Sequence, residues 1–241
     1  VLLIIRAQNS LGTAALASGD HNAAASYLEQ ALNLASAHPQ QPELEKVLGN
    51  LGALAFKLGR NADAHDFWIK ASETAEEKDL SAAPYYCDLA RLYLAEGRKE
   101  EFSAMVDKAM AATNESEAFS RADALNLAGR EAMGDNDLAK AEELLREALE
   151  LDQKTENTTG LAQDTEALGL LMVKLERYGE AAVFMDRSFY LWLAVGRDDA
   201  ADRLLKSMRT LSATHNHPQK IAPYLQARRN PASFRLAKQC P

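Results

Sequence analysis

Residues 48–71, LGNLGALAFKLGRNADAHDFWIKA, hold two helical stripes joined by a Gly-Arg-Asn turn. In the first stripe Leu48, Leu51, Gly52 and Ala55 fall at i, i+3, i+4 and i+7; in the second, Ala64, Trp68 and Ala71 fall at i, i+4 and i+7. Apolar positions at that spacing line one face of an α-helix. Gly and Ala are too small to fill a core by themselves, so the pattern implies that a neighbouring helix backbone comes very close.

The same signature recurs along the chain. Gly12, Gly52, Ala90, Gly129 and Gly169 stand 40, 38, 39 and 40 residues apart. Leu11, Leu51, Leu89, Ala128 and Leu168 precede them. Twelve residues after each comes Ala24, Ala64, Phe102, Ala141 or Ala181, and four further on Leu28, Trp68, Val106, Leu145 or Met185. Ala31, Ala71, Ala109, Ala148 and Ser188 close the pattern. A register held through five copies defines a repeat array, in which each helix pair buries its second face only by stacking on a neighbour.

This pattern resembles the tetratricopeptide repeat, whose signature is W-x₂-L-G-x₂-Y…A-x₃-F. Here the series reads Leu48-Leu51-Gly52-Ala55, Tyr86-Leu89-Ala90-Tyr93, Leu125-Ala128-Gly129-Ala132 and Thr165-Leu168-Gly169-Met172. The period of about 40 exceeds the usual 34 and is similar to the longer-helix variant of kinesin light chains and many bacterial regulators. The resemblance implies an all-α, right-handed α-solenoid of antiparallel helix pairs. Repeats are expected at about 1–40, 41–78, 79–117, 118–157 and 158–197, with a degenerate capping pair at 198–229 and a tail at 230–241. That makes about twelve helices in one continuous domain. The turns SGDHN, LGRNAD, EGRKEE, GDNDLA and ERYGE offer Gly for a left-handed C-terminal residue and Asp or Asn for the next N-cap. The opening VLLII reads as the first turn of a buried helix; the other reading is the tail of a removed signal or tether. In FMDRSFYLWLAVG, Phe189 and Trp192 or Leu193 are expected to pack under the cap, with weak self-association through this C-terminal end as the other use of so aromatic a segment.

Composition agrees with helices. Hydrophobic residues make up 47 % but aromatics 7 %, and 12 Gly and 7 Pro are too few for a turn-rich β fold. A net charge of −8 speaks against general binding of nucleic acid or anionic membranes. No apolar run approaches the roughly 20 residues of a membrane span. Cys87 and Cys240 make neither a disulfide framework nor a zinc site. The compartment stays open: a soluble domain, either cytoplasmic or envelope-tethered with a targeting segment removed before Val1.

Catalytic chemistry finds no constellation. His21, His38 and His65 are isolated near turns, and HNH at 215–217 spaces its histidines two apart, off a shared helix face. No phosphate loop, G-x-S-x-G or Cys–His pair occurs. The acidic runs AEEKD and AEELLREALELD read as outer helix faces, and the sequons NES at 114 and NTT at 157 are short enough to arise by accident. No enzyme activity, cofactor or metal is expected.

The resemblance implies a concave groove lined by the inner helices, which binds an extended or helical peptide. By register, its candidates are Arg6, Asn9 and Thr13; Lys46, Asn50 and Lys57; Asp88 and Arg91; Asp123, Asn126 and Arg130; and Gln163, Glu166 and Lys174. Asn50 stands where related repeats hold a peptide backbone by donor and acceptor together. The carboxylate clamp of chaperone-binding relatives is missing, because Thr13 replaces its first Asn and Pro84 and Asp88 stand where it needs basic residues. Arg91 and Arg130 occupy equivalent places in adjacent repeats and are the expected anchors for an acidic partner segment. The expected function is a non-catalytic scaffold binding a protein or peptide in its groove. The alternatives are the ligand- or peptide-sensing part of a larger regulator, or an envelope-tethered assembly unit.

Overall fold

The structure is a computed structural model that describes residues 1–38, 43–113 and 117–214, the last three by backbone alone. The second half of the expected capping pair, the tail, the HNH triplet and the sequon at 114 lie outside the described residues. The chain falls into two compact units, Val1–Asn114 and Glu115–Pro241. The first holds α1 (Leu2–Ser18), α2 (His21–Ala37), α3 (Leu44–Lys57), α4 (Asn61–Glu77), α5 (Ala83–Glu96) and α6 (Lys99–Ala112). The second holds α7 (Ala118–Gly134), α8 (Leu138–Lys154), α9 (Thr158–Lys174), α10 (Tyr178–Ala194) and α11 (Asp198–Thr214). Among the described residues these eleven helices are the only regular structure. They pair as α1–α2, α3–α4, α5–α6, α7–α8 and α9–α10, with α2 against α3, α4 against α5, α8 against α9 and α10 against α11. The inner helices α1, α3 and α5 touch in sequence, as do α7 and α9.

The repeated glycine makes a notch for a side chain rather than a seat for a backbone. A Cβ at Gly12 would stand 2.6 Å from Leu28 Cγ, at Gly52 2.5 Å from Trp68 Nε1, at Gly129 2.6 Å from Leu145 Cγ and at Gly169 2.8 Å from Met185 Cγ. In all four the intruder lies sixteen residues on, in the second helix of the same pair. Partner backbone comes second, 3.4 Å away at Leu28 N, Ala141 O and Met185 N. Close packing therefore sets a size rule between the two positions. The third repeat obeys it in reverse, with a methyl at Ala90 and the smaller Val106 facing it, both buried. In the second repeat the indole N–H of Trp68 donates to Gly49 O at 3.0 Å, satisfying its buried donor.

Turn chemistry follows the register more than residue type. Seven residues after each small residue stands a left-handed one: Gly19, Gly59, Gly97, Asn136 and Glu176, with φ of 81°, 73°, 71°, 63° and 58°. In the fourth and fifth turns Gly134 and Gly179 lie inside α7 and α10, so glycine does not make the bend there as the sequence suggested. Packing fixes where the chain must reverse, and Glu176 adopts the strained region at a cost on the order of 1 kcal/mol. The next residue is the N-cap. Asp20 and Asp137 accept from Ala23 N and Lys140 N, but Arg60, Arg98 and Arg177 hold this place without a capping bond. There the third residue on is acidic, giving Arg60–Asp63 at 3.5 Å, Arg98–Glu101 at 2.8 Å and Arg177–Glu180 at 2.6 Å. An acidic side chain in the first turn meets the helix dipole that an Asp cap otherwise serves.

The end of the second unit is apolar. Phe189, Trp192 and Leu193 are buried with Ala200, Ala201, Leu204, Met208 and Leu211 of α11. At the other end, VLLII does open a helix, but only Ile5 is fully buried, while Leu3 and Ile4 face outward. The buried-helix reading fails there because none of the described residues packs over that face.

Candidate functional site

In the first unit, α1, α3 and α5 line a cavity of about 590 Å³. Five register candidates meet there: Arg6 and Asn9 from α1, Lys46 and Asn50 from α3, and Asp88 from α5. Its buried floor includes Tyr85, whose ring lies where a Cβ on Gly49 would stand, 2.7 Å from Cε1. Burial, then the carboxylates of Glu45, Asp88 and Glu43, push the Tyr85 hydroxyl well above the usual phenol range, so it stays a proton donor.

Two polar clusters occupy the walls. Asn50 Nδ2 donates to Asn9 Oδ1 at 2.8 Å and to Thr13 Oγ1 at 3.2 Å, and the Thr13 hydroxyl donates to Asn9 O at 2.8 Å. This leaves the Asn9 amide hydrogens and the Asn50 carbonyl oxygen to offer one donor and one acceptor, the pair that a peptide unit complements. Beside them, Arg6 Nε and Lys46 Nζ both reach Glu43 Oε1, at 2.8 and 3.3 Å. Glu43 is buried, with φ 121°, while the Arg6 and Lys46 side chains are 52 % and 57 % exposed. One carboxylate thus serves two cations. Lys78 Nζ holds Glu45 Oε2 at 3.2 Å, and Arg91 Nη1 holds Asp88 Oδ1 at 3.1 Å.

In the second unit the equivalent register positions are drawn inward. Asn126 Nδ2 donates to Asp164 Oδ1 at 2.7 Å, Arg130 Nε donates to Asn126 Oδ1 at 2.8 Å, and Arg130 Nη2 reaches Gln163 O at 3.4 Å. Glu166 accepts from the Trp192 indole at 2.9 Å. Asn126, Asp152 and Asp164 are buried. Asp152 accepts from Asn157 Nδ2 at 2.9 Å, and a Cβ on Gly160 would fall 1.7 Å from Asp152 Oδ2. Asp164 Oδ2 receives no donor, and its neighbour Asp152 is another carboxyl. Burial foremost, joined by the Asp152 and Asp123 charges and opposed by the Asn126 hydrogen bond, pushes Asp164 up to about 8. Burial raises Asp152 too. A proton held between the two gives the otherwise unmatched Asp164 Oδ2 a partner. Sequence reasoning missed this pair, although a polar Asp164 stands where the other repeats place Ala7, Val47, Tyr85 and Ala124.

Lys57 and Lys174 are exposed in the last turns of α3 and α9 and line neither this cavity nor one under α11, floored by Leu170, Val173 and Met185. Asp123 is half-buried on α7 and adds negative charge near Asp152 and Asp164. Among the described residues no group of three or more His, Cys, Asp or Glu is placed to hold a metal, and no helix is long and apolar enough to cross a membrane.

This geometry defines a repeat protein with an open inner face. The tetratricopeptide-repeat family profile matches residues 5–38 and 122–155. The chain carries tetratricopeptide-type repeats at those two places, and its all-α fold is shared with solved helical-repeat structures. It is similar to BtubC from P. vanneervenii (21 % identity, 84 % of this chain and 94 % of that one, TM-score 0.57). It is also similar to pilF of Pseudomonas aeruginosa (16 %, 93 % and 97 %, TM-score 0.58). A third such structure is a putative kinesin light chain with TPR-like repeats from Podosopora anserina (19 %, 80 % and 96 %, TM-score 0.55). No curated protein sequence matches the chain.

Proposed function

We propose that the chain is a non-catalytic interaction module whose first unit binds an extended segment of a partner protein along α1, α3 and α5. The tetratricopeptide repeats support a protein-interaction scaffold in general; the finer reading rests on the groove. One observation carries it: Arg6 and Lys46 share the single buried carboxylate of Glu43 with their own heads half in water. One positive charge is left over at the mouth of a preformed cavity, beside the amide edge of Asn9 and Asn50. An aspartate or glutamate of the partner would take that charge in charge-assisted hydrogen bonds, while the asparagines hold its backbone. A preformed groove keeps the ordering cost of binding low. Arg91 and Arg130 rank below Arg6 as anchors: Arg6 shares its carboxylate with Lys46, whereas Arg91 pairs with Asp88 and Arg130 bonds both Asn126 and Gln163 O.

The test is a displayed random-peptide library selected on the wild-type chain, on Arg6→Glu/Lys46→Glu and on Arg91→Glu/Arg130→Glu. The expected result is enrichment of Asp- or Glu-containing peptides on wild type, a loss of at least ten-fold in affinity for the first variant, and a smaller loss for the second. Enriched peptides that bind the Arg6/Lys46 variant unchanged would sink the assignment.

A further inference from the structure

Three residues lining the groove of the first unit break the repeat register. Glu45 stands seven residues before Gly52, where the other repeats hold Ile5, Ala83, Ala122 and Ala162, all fully buried. Tyr85 stands five before Ala90, where the others hold Ala7, Val47, Ala124 and Asp164. Gly49 stands where the others hold Asn9, Cys87, Asn126 and Glu166. The last two departures answer each other, because a Cβ at Gly49 would stand 2.7 Å from Tyr85 Cε1. Packing does not ask for a carboxylate at 45, since an apolar residue there needs no partner.

What the departures add is hydrogen-bonding capacity. Glu45 is buried; its Oε2 accepts from Lys78 Nζ at 3.2 Å and from Glu43 N at 3.3 Å, while its Oε1 receives no donor among the described residues. Lys78 balances the charge, so the open oxygen calls for a hydrogen rather than for a second cation. The Tyr85 hydroxyl is a donor that feels the Glu45 charge without bonding to it.

We infer that Glu45 and Tyr85 form a second recognition point in the groove, which takes a serine or threonine hydroxyl of the partner segment beside the acidic residue held by Arg6 and Lys46. This rests on the binding reading proposed above. The hydroxyl donates to Glu45 Oε1, turned toward the cavity about its last torsion, and accepts from the Tyr85 hydroxyl, so one group meets both needs. Both residues are buried, and the point they define suits a single polar atom better than a flat amide. The Glu43 N–H on Glu45 Oε2 sets this point next to the carboxylate that Arg6 and Lys46 share. Acid and hydroxyl therefore lie within about three residues of one another in an extended segment.

The displayed random-peptide library, selected on the wild-type chain, on Tyr85→Phe and on Glu45→Gln, tests this through residue preference rather than affinity alone. On the wild type, Ser or Thr is expected at a fixed offset from Asp or Glu. On each variant that preference should fall at least five-fold while the acid stays enriched. An enriched peptide resynthesised with Ala for its hydroxyl residue should bind the wild type at least five-fold more weakly, and Tyr85→Phe less than two-fold more weakly. Tyr85→Phe keeps the ring in its seat at Gly49, so the test stands even if Glu45→Gln misfolds. An acid enriched without a hydroxyl at a fixed offset, or with Lys, Arg, Asn or Gln there, overturns the second point and leaves the acid-binding reading in place. So does a hydroxyl preference that survives in Tyr85→Phe. Absence of acid enrichment on the wild type overturns both.

Discussion

Asn9 and Asn126 occupy the same place in the repeat, three residues before the notch glycine, yet the two units use them in opposite ways. In the first unit Asn9 accepts from Asn50 and lines an open cavity. In the second, Asn126 is consumed on both sides, donating to Asp164 and accepting from Arg130. The difference comes from the next inner helix. Facing Asn9 it presents another uncharged amide, whereas facing Asn126 it presents a buried carboxyl that needs every donor within reach. A repeat register fixes which residues share a face, and the neighbour decides whether that face is offered to a ligand or spent on the fold.

The strongest way to break this comparison is at the two glycines beneath the clusters. Gly160→Ala puts a methyl on Asp152 Oδ2 and must unseat the buried carboxyl pair, with an expected loss of about 3 kcal/mol or more in unfolding free energy by denaturant titration. Gly49→Ala meets the ring of Tyr85, which can swing into the groove, so about 1–3 kcal/mol is expected. Equal losses would show that the first unit is packed as tightly as the second.

The carboxyl pair also predicts different pH behaviour for wild type and Asp164→Asn. Asp164 keeps its proton in the folded chain up to about pH 8, while an unfolded aspartate gives it up near the ordinary 3.8. The folded state thus holds more protons across that window. Stability is greatest on the acid side and declines as pH rises toward 8, by on the order of 1 kcal/mol per pH unit. Asn at this position can accept from Asn126 and donate to Asp152 with no titration of its own. Its melting temperature should exceed that of the wild type at pH 9, and the decline between pH 6 and 8 should flatten. A variant less stable at pH 9 would mean that no proton is shared.

A smaller effect sharpens the size rule of the notch. Val106→Leu against Ala90 should cost about 1–2 kcal/mol by overpacking. Adding Ala90→Gly should recover about 1 kcal/mol of it, giving a coupling between the two sites in a double-mutant cycle. Additive losses would reduce the sixteen-residue pairing to coincidence.

Much of the fold was legible because close packing writes itself into residue size. Small residues at one place and large ones sixteen further on are visible without coordinates, and they fix the helix pairs and their order. The candidate groove was legible in part: Arg6, Asn9, Lys46, Asn50 and Asp88 meet as their shared face implies. The same reasoning placed Glu166 and Arg130 on an open face, although Trp192 and Asn126 claim them. Those partners lie 26 residues away for Glu166 and four for Arg130, and no helical period reports which way a long polar side chain turns. Glu43 and Asp152 passed as ordinary acidic residues because their importance lies in burial.

The sequence by itself determined the helix pairs, their repeat and the inner face, since these follow from periodicity and side-chain volume, which are local properties repeated five times. Only the tertiary structure decided which polar groups remain available. Desolvation and hydrogen-bond pairing depend on what lies across the gap, and that neighbour is supplied by a different turn of the chain.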